Sequence, residues 1–391
     1  MSERFFAPCP RGLEAALAAE LTAVGAGYVA PAEGGVGFSG PLELAYHANL
    51  ESRLASRILW QVAHGACGSE DDLYRLAHGV DWGRHFRAER TLRVDLAAPR
   101  SPLASIEFAT LRVKDAVCDR FRADAGKRPS IDKQRPDVRV HAYLSGREAT
   151  LYLDTSGEAL FKRGWRRDAD VAPLRENLAA GLLALAGWTP GTPLLDPMCG
   201  AGTIAIEAAL LAAGVAPGLR RTFGFQKLAW YDGPTWQRIR QRAHDRARAA
   251  PATPSIFASD VDPNAVAKCR GNAAAAGVAD WIELAVADVV ARTAPATAGV
   301  LIANPPYGVR LDDDARLAAF YPRLGDALKQ RFAGWTACLF TGDARLPKLI
   351  GLRPSKRTPL YNGAIECRLY RFEIVAGRPQ RAPHGGEAAA R

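Results

Sequence analysis

One segment constrains the fold more than any other: Leu194-Leu195-Asp196-Pro197-Met198-Cys199-Gly200-Ala201-Gly202-Thr203, followed by the alanine-rich Ile204-Ala205-Ile206-Glu207-Ala208-Ala209. It reads as a strand, a tight glycine turn and a helix. Glycines after a first strand let the backbone approach a ligand closely, and open α/β sheets bind ligands at the carboxyl ends of their strands. Apolar strand candidates then alternate with helical stretches to about residue 374: Pro193–Leu195, Ile256–Ala258, Ile282–Val286, Val300–Ala303, Thr336–Phe340 and Cys367–Ile374. That alternation predicts an α/β domain built on a parallel sheet.

The turn selects among ligands. A dinucleotide fingerprint needs a third glycine where Ala205 stands, and no Gly-Lys-Ser/Thr follows to make a P-loop. Asp196 at the strand end repels phosphate but suits a cationic ligand carrying an amino group. S-adenosylmethionine, with its sulfonium and α-ammonium, is such a ligand. Asp196, Pro197, Cys199, Gly200, Gly202 and Thr203 are the candidate cofactor turn. Two further strands end in carboxylates. Asp260 is placed to accept both hydroxyls of a ribose. Asp262-Pro263 reads as a helix cap and first helical residue. Asp288 can accept from an adenine amino group, although a solvated strand end reads equally well there.

A second motif carries the chemistry. Val300-Leu301-Ile302-Ala303 runs into Asn304-Pro305-Pro306-Tyr307-Gly308. The prolines stiffen the loop. An exocyclic base amine is a poor nucleophile because its lone pair is delocalised into the ring. The Asn304 side-chain oxygen and the Pro305 carbonyl can each accept one of its N–H groups, which frees that lone pair for a methyl group. Tyr307 can stack on a flipped base. Catalysis of this kind is mostly positioning and needs no tuned general base. The motif by itself does not choose guanine over adenine, or RNA over DNA or a protein glutamine.

The rest of the 391 residues predicts further units. Residues 1–60 read as a small α+β unit with a helix from Leu13, a glycine-rich hairpin at 33–38 and a second helix near 41–58. Residues 61–156 read as another, with strands Thr91–Ala97, Val138–Leu144 and Ala149–Asp154 and a helix near 106–123. A charged connector spans 157–170, the α/β domain spans 171–375, and residues 376–391 have the composition of a disordered tail. The formal net charge of +10 fits a polyanionic partner. Lys162, Arg163, Trp165, Arg166 and Arg167 in the connector mix cations with aromatics, as nucleic-acid surfaces do. Lys127, Arg128, Lys133 and Arg135 form a second basic cluster. The arginines from Arg238 to Arg248 read as a solvated helix face. Seven scattered cysteines with no C-x-x-C spacing predict no metal site and suit a reducing cytoplasm. No apolar run is long enough to span a membrane.

Together, D-P-M-C-G-A-G-T and N-P-P-Y resemble class I methyltransferases acting on amino groups. RGLE at 11–14, GGVGF at 34–38, ESRLASRIL at 51–59, VKDAVCDRF at 113–121, RPDVRVHAYL at 135–144 and LYLDTSGEALFKRGWR at 151–166 extend the likeness. They look like the ferredoxin-like and THUMP regions of bacterial 23S rRNA guanine-N2 methyltransferases. The resemblance implies an RNA-presenting N-terminal half and a Rossmann-like methyltransferase domain with a mostly parallel seven-stranded sheet. It places the cofactor at Asp196, Gly200, Gly202, Asp260 and Asp288, and the guanine amine at Asn304, Pro305 and Tyr307. The rival expectations are methylation of tRNA, at guanine N2 or adenine N6, and a silent RNA-binding assembly factor. Some relatives carry a second methyltransferase domain making 7-methylguanine; that activity is not expected in these 391 residues. Ala201 stands where many relatives have serine.

Overall fold

The computed structural model describes residues 2–100, 103, 105–167, 174–305 and 311–375. The expected tail, the end of the connector and Tyr307 lie outside these residues. In chain order the first half contains β1 (Glu3–Pro8), α1 (Glu14–Ala23), β2 (Gly27–Ala32), β3 (Gly35–Gly40), α2 (Leu44–Glu51), β4 (Leu59–Ala66), α3 (Glu70–His78), β5 (Leu92–Arg100), α4 (Ile106–Ala125), β6 (Val138–Ser145) and β7 (Glu148–Asp154). These seven strands make one sheet in the order β2-β3-β1-β4-β7-β6-β5. The sheet is therefore continuous across the boundary expected near residue 60, joined where β1 pairs with β4 at Phe5–Trp60 and Phe6–Leu59. The helix expected near 41–58 stops at Glu51, because the chain beyond it is captured from outside: the backbone N–H of Arg53 donates to the Glu20 carboxylate at 3.1 Å.

The second half contains α5 (Glu176–Ala186), β8 (Leu194–Asp196), α6 (Thr203–Ala212), α7 (Gly233–Asp245), β9 (Ile256–Asp260), α8 (Pro263–Ala276), β10 (Ile282–Val286), β11 (Gly299–Ala303), α9 (Leu311–Arg331), β12 (Trp335–Thr341), α10 (Leu346–Leu349), β13 (Lys356–Asn362) and β14 (Ile365–Glu373). Its seven-stranded sheet has the order β10-β9-β8-β11-β12-β14-β13. The first five strands in that order are parallel, and β14 runs antiparallel to both its neighbours. The connections leave β8 toward β9 on one side, while β11 lies on the other. The strand order thus reverses at β8, which opens a crevice beyond the ends of β8 and β11.

The halves share one hydrophobic core running from Phe5 to Leu369. Leu13 of the first half lies against α5 so closely that a side chain at Gly181 would overlap it. The segment between α6 and α7 also docks on the first half. Tyr46 on α2 sits against Phe225 and Trp230 at ring distances of 4.7 and 5.1 Å, and its hydroxyl accepts from the Asp232 N–H at 2.8 Å.

Candidate active site

The crevice holds a cavity of about 560 Å³. Of the sequence-derived site candidates, Asp196, Pro197, Cys199, Gly200, Thr203, Asp260, Asp288 and Asn304 all line it. Gly202 does not; it has a packing role. Its φ of +86° belongs to the left-handed region, and a Cβ there would overlap the Cys269 Sγ on α8. Gly200, at φ +51°, faces open space where a side chain would protrude.

The turn is tied to the next strand. The Gly200 N–H donates to Asp260 Oδ2 at 3.0 Å, the Asp262 N–H donates to Asp260 Oδ1 at 3.0 Å, and the Cys199 N–H donates to the Ser259 carbonyl at 2.9 Å. Asp260 thus braces the loop with one bond per oxygen, and each carboxylate oxygen keeps a second lone pair for a ligand. Asp262 caps α8, accepting from the Asn264 N–H at 2.9 Å with Pro263 at the first position, as its sequence implied. Asp288 is exposed and accepts from the Val290 N–H at 2.9 Å.

Asp196 is the electrostatic anomaly of the site. It is 1% exposed, and its Oδ1 has no hydrogen-bond partner among the described residues. Burial, with the Asp260 charge adding to it, pushes its carboxyl up to about 8, against the Met198 N–H bond that favours ionisation. A hydrogen bond with the neighbouring Cys269, together with burial, pushes the Cys199 thiol far above its ordinary value, so it is no nucleophile. Asn304 directly follows β11 and is half-buried, its Oδ1 also lacking a partner among the described residues, and Pro305 behind it is buried. Unpaired buried polar atoms are costly. Two of them on one cavity wall mark places where a ligand would supply the missing partner.

The connector differs from the sequence expectation. Arg163 and Trp165 are each 2% exposed, so neither presents a face to RNA. The Arg163 guanidinium reaches Glu207 in α6 at 3.2 Å and the Arg53 carbonyl at 2.6 Å, and Arg53 reaches the same carboxylate at 3.7 Å. A carboxylate buried within an apolar helix requires such partners. Arg166 is also turned inward, bonded to Glu176 at 3.0 Å and to the Thr203 hydroxyl at 2.9 Å; it lines the cavity, and its Nη1 is buried without a partner among the described residues. Lys162 and Arg167 remain exposed, as do Lys127, Arg128, Lys133 and Arg135 in the loop before β6. The sequence reading missed Leu174, Leu317 and Phe320 as cavity walls. Leu317 and Phe320 lie three apart on α9, a spacing shared by any core-facing helix.

Residues 163–371 match a family described as "RMKL-like, methyltransferase domain". The chain belongs to the RMKL-like methyltransferase family. Ahead of its methyltransferase domain, residues 4–59 match an RlmL ferredoxin-like domain and residues 67–154 a THUMP domain. This RMKL-like chain is 42% identical over 385 residues to a protein from Syntrophotalea carbinolica named ribosomal RNA large subunit methyltransferase K/L, covering 96% of this chain and 54% of that protein. It spans about half the length of the curated relatives it matches. Among solved structures, a putative methyltransferase complexed with SAH is 29% identical with a TM-score of 0.87, covering 96% of this chain and 99% of that one. A possible methylase from Clostridium difficile 630 is 29% identical with a TM-score of 0.88, covering 98% of this chain and all of that one (100%).

Proposed function

We propose that this chain transfers a methyl group from S-adenosylmethionine to the exocyclic N2 of a guanine in 23S rRNA. The observation that carries the reading is the single cavity that gathers Asp196, Asp260 and Asn304 at the ends of three adjacent strands. The residues fit the cofactor. Asp196, buried with an unpartnered oxygen, matches an α-ammonium. Arg166, with an unpartnered Nη1 on the same cavity, matches the carboxylate of the same amino acid. Asp260 would hold the ribose and Asp288 the adenine amine. Bound S-adenosylmethionine would supply an electrophilic methyl group carried on its sulfonium sulfur, with S-adenosylhomocysteine, which keeps the electron pair of the broken C–S bond, as the leaving group.

The chain's own residues do the rest. The Asn304 side-chain oxygen accepts one amine N–H and the Pro305 carbonyl the other, holding the nitrogen lone pair in line with the methyl group. The amine proton leaves only once the new C–N bond makes it acidic. Tyr307 is proposed to stack on the extruded base. The names borne by the relatives, large subunit rRNA methyltransferases, and the THUMP match support RNA as the substrate. The test is transfer of labelled methyl to unmodified 23S rRNA and to unmodified bulk tRNA in parallel, followed by nucleoside analysis. Label in N2-methylguanosine from 23S rRNA supports the reading. Label from tRNA alone overturns the substrate, and label in neither overturns methylation of free RNA.

A further inference from the structure

An RNA whose base enters the catalytic cavity must lay its backbone along the rim, and the sheet topology marks one direction. β12 and β13 are both antiparallel to β14, so they run the same way. The β13–β14 turn at Asn362 and Gly363 therefore lies on the same edge of the sheet as the ends of β8 and β11. Beside that turn is a second cavity, of about 410 Å³, formed where the first half docks on the methyltransferase domain. Arg11, Arg175, Ser56 and Tyr361 line it, and among the described residues that line it none is an aspartate or glutamate. Arg175 directly follows Leu174, a wall of the catalytic cavity, so the two spaces adjoin along the chain.

Both guanidinium groups rest on aromatic rings, Arg11 over Tyr361 at 5.6 Å and Arg175 over Phe161 at 4.9 Å. Stacking of this kind orients an arginine without consuming its N–H donors. Arg11 has a carboxylate neighbour, Glu33 at 2.9 Å, but the two side chains are 55% and 65% exposed. A pair so open to solvent contributes little and yields readily to a phosphate. The Arg11 turn is held close to β13: Gly12 has φ +92°, and a Cβ there would overlap the Pro359 carbonyl.

We propose that this interdomain cleft binds the RNA backbone, with Arg11 and Arg175 on phosphodiesters next to the target nucleotide and Tyr361 as a stacking surface beside them. The proposal rests on the RNA reading above. It is tested with Arg11→Gln, Arg175→Gln, the double variant, and the double Arg→Lys variant, all binding in-vitro-transcribed 23S rRNA over a salt series. Each lost phosphate contact lowers the slope of log affinity against log salt by about 0.9 for a duplex and about 0.7 for a single strand. The double glutamine variant should therefore lose between about 1.4 and 1.8 of slope, bind at least tenfold more weakly at low salt, and show raised KM with little change in kcat. The lysine variant should keep the slope, and S-adenosylhomocysteine affinity should match wild type throughout, which reports an intact fold. Wild-type slope and affinity in the double glutamine variant overturn the cleft while leaving the RNA reading standing. A wild-type protein that binds no RNA overturns both.

Discussion

The raised carboxyl of Asp196 makes ligand binding a proton-release event. The group titrates near 8, against an ordinary 3.8. At neutral and acid pH it therefore carries a proton when no ligand is bound. An ammonium placed against it favours the ionised form and lowers that value, so binding must expel the proton. The sign follows: affinity rises with pH while Asp196 is protonated in the free protein, and levels off above about 8. One linked proton is worth a factor of ten, or 1.36 kcal/mol, per pH unit. Between about pH 5.5 and 7.0, where the ligand's own ammonium stays charged, S-adenosylhomocysteine should tighten by up to about 30-fold. Calorimetry near pH 6.5 in two buffers of different ionisation enthalpy should count about one proton released per ligand. Asp196→Asn should abolish both the release and the slope. A flat affinity with no buffer dependence in wild type would refute the ammonium assignment. The same shift bears on stability. A folded value above the unfolded one gives a contribution present below about 4 and lost as pH rises toward 8, and bound ligand should restore it.

Three other perturbations separate the proposed roles. Asn304→Ala should remove most of kcat while S-adenosylhomocysteine affinity stays nearly unchanged; wild-type turnover would unseat the amide as the amine's acceptor. Asp260→Ala should weaken cofactor binding by roughly 1.5–3 kcal/mol for a lost charge-assisted bond, with a further loss because Gly200 and Asp262 are no longer braced. An unchanged Kd in calorimetry would move the ribose contact elsewhere. Arg163→Ala leaves Glu207 buried with only the more distant Arg53, and should cost about 3–5 kcal/mol in urea unfolding; a loss under 1 kcal/mol would mean that the network is not structurally important.

The methyltransferase half was the more legible in sequence, because its central strands are apolar runs that lead into an acidic or amide residue, as at Asp196, Asp260 and Asn304. β13 escaped notice for a physical reason: it is an edge strand carrying Pro359 and exposed polar residues, a pattern with neither alternation nor a buried run. The connector misled because composition records charges but not their neighbours. Lys162-Arg163-Gly164-Trp165-Arg166 has the make-up of a nucleic-acid surface, yet its first arginine, Arg163, and its tryptophan are core residues. One signal was present: Glu207 sits inside Thr203-Ile204-Ala205-Ile206-Glu207-Ala208-Ala209, and a carboxylate there demands a cation from elsewhere. Glu20, Arg53 and the seam between β1 and β4 had no comparable signature, since they matter through contacts distant in sequence.

The joint between the halves has a consequence for recognition. Glu20, Arg53, Arg163 and Glu207 form a buried polar chain from α1 to α6, and Tyr46 is wedged among Phe225, Trp230 and Trp236. Such a joint resists bending between the first sheet and the cavity. On the RNA reading the molecule then works as a fixed caliper. An RNA gripped by the first half offers to the cavity only the nucleotide at one set span, so the fold of the RNA between grip and target, more than the bases around the target, decides which guanine is reached.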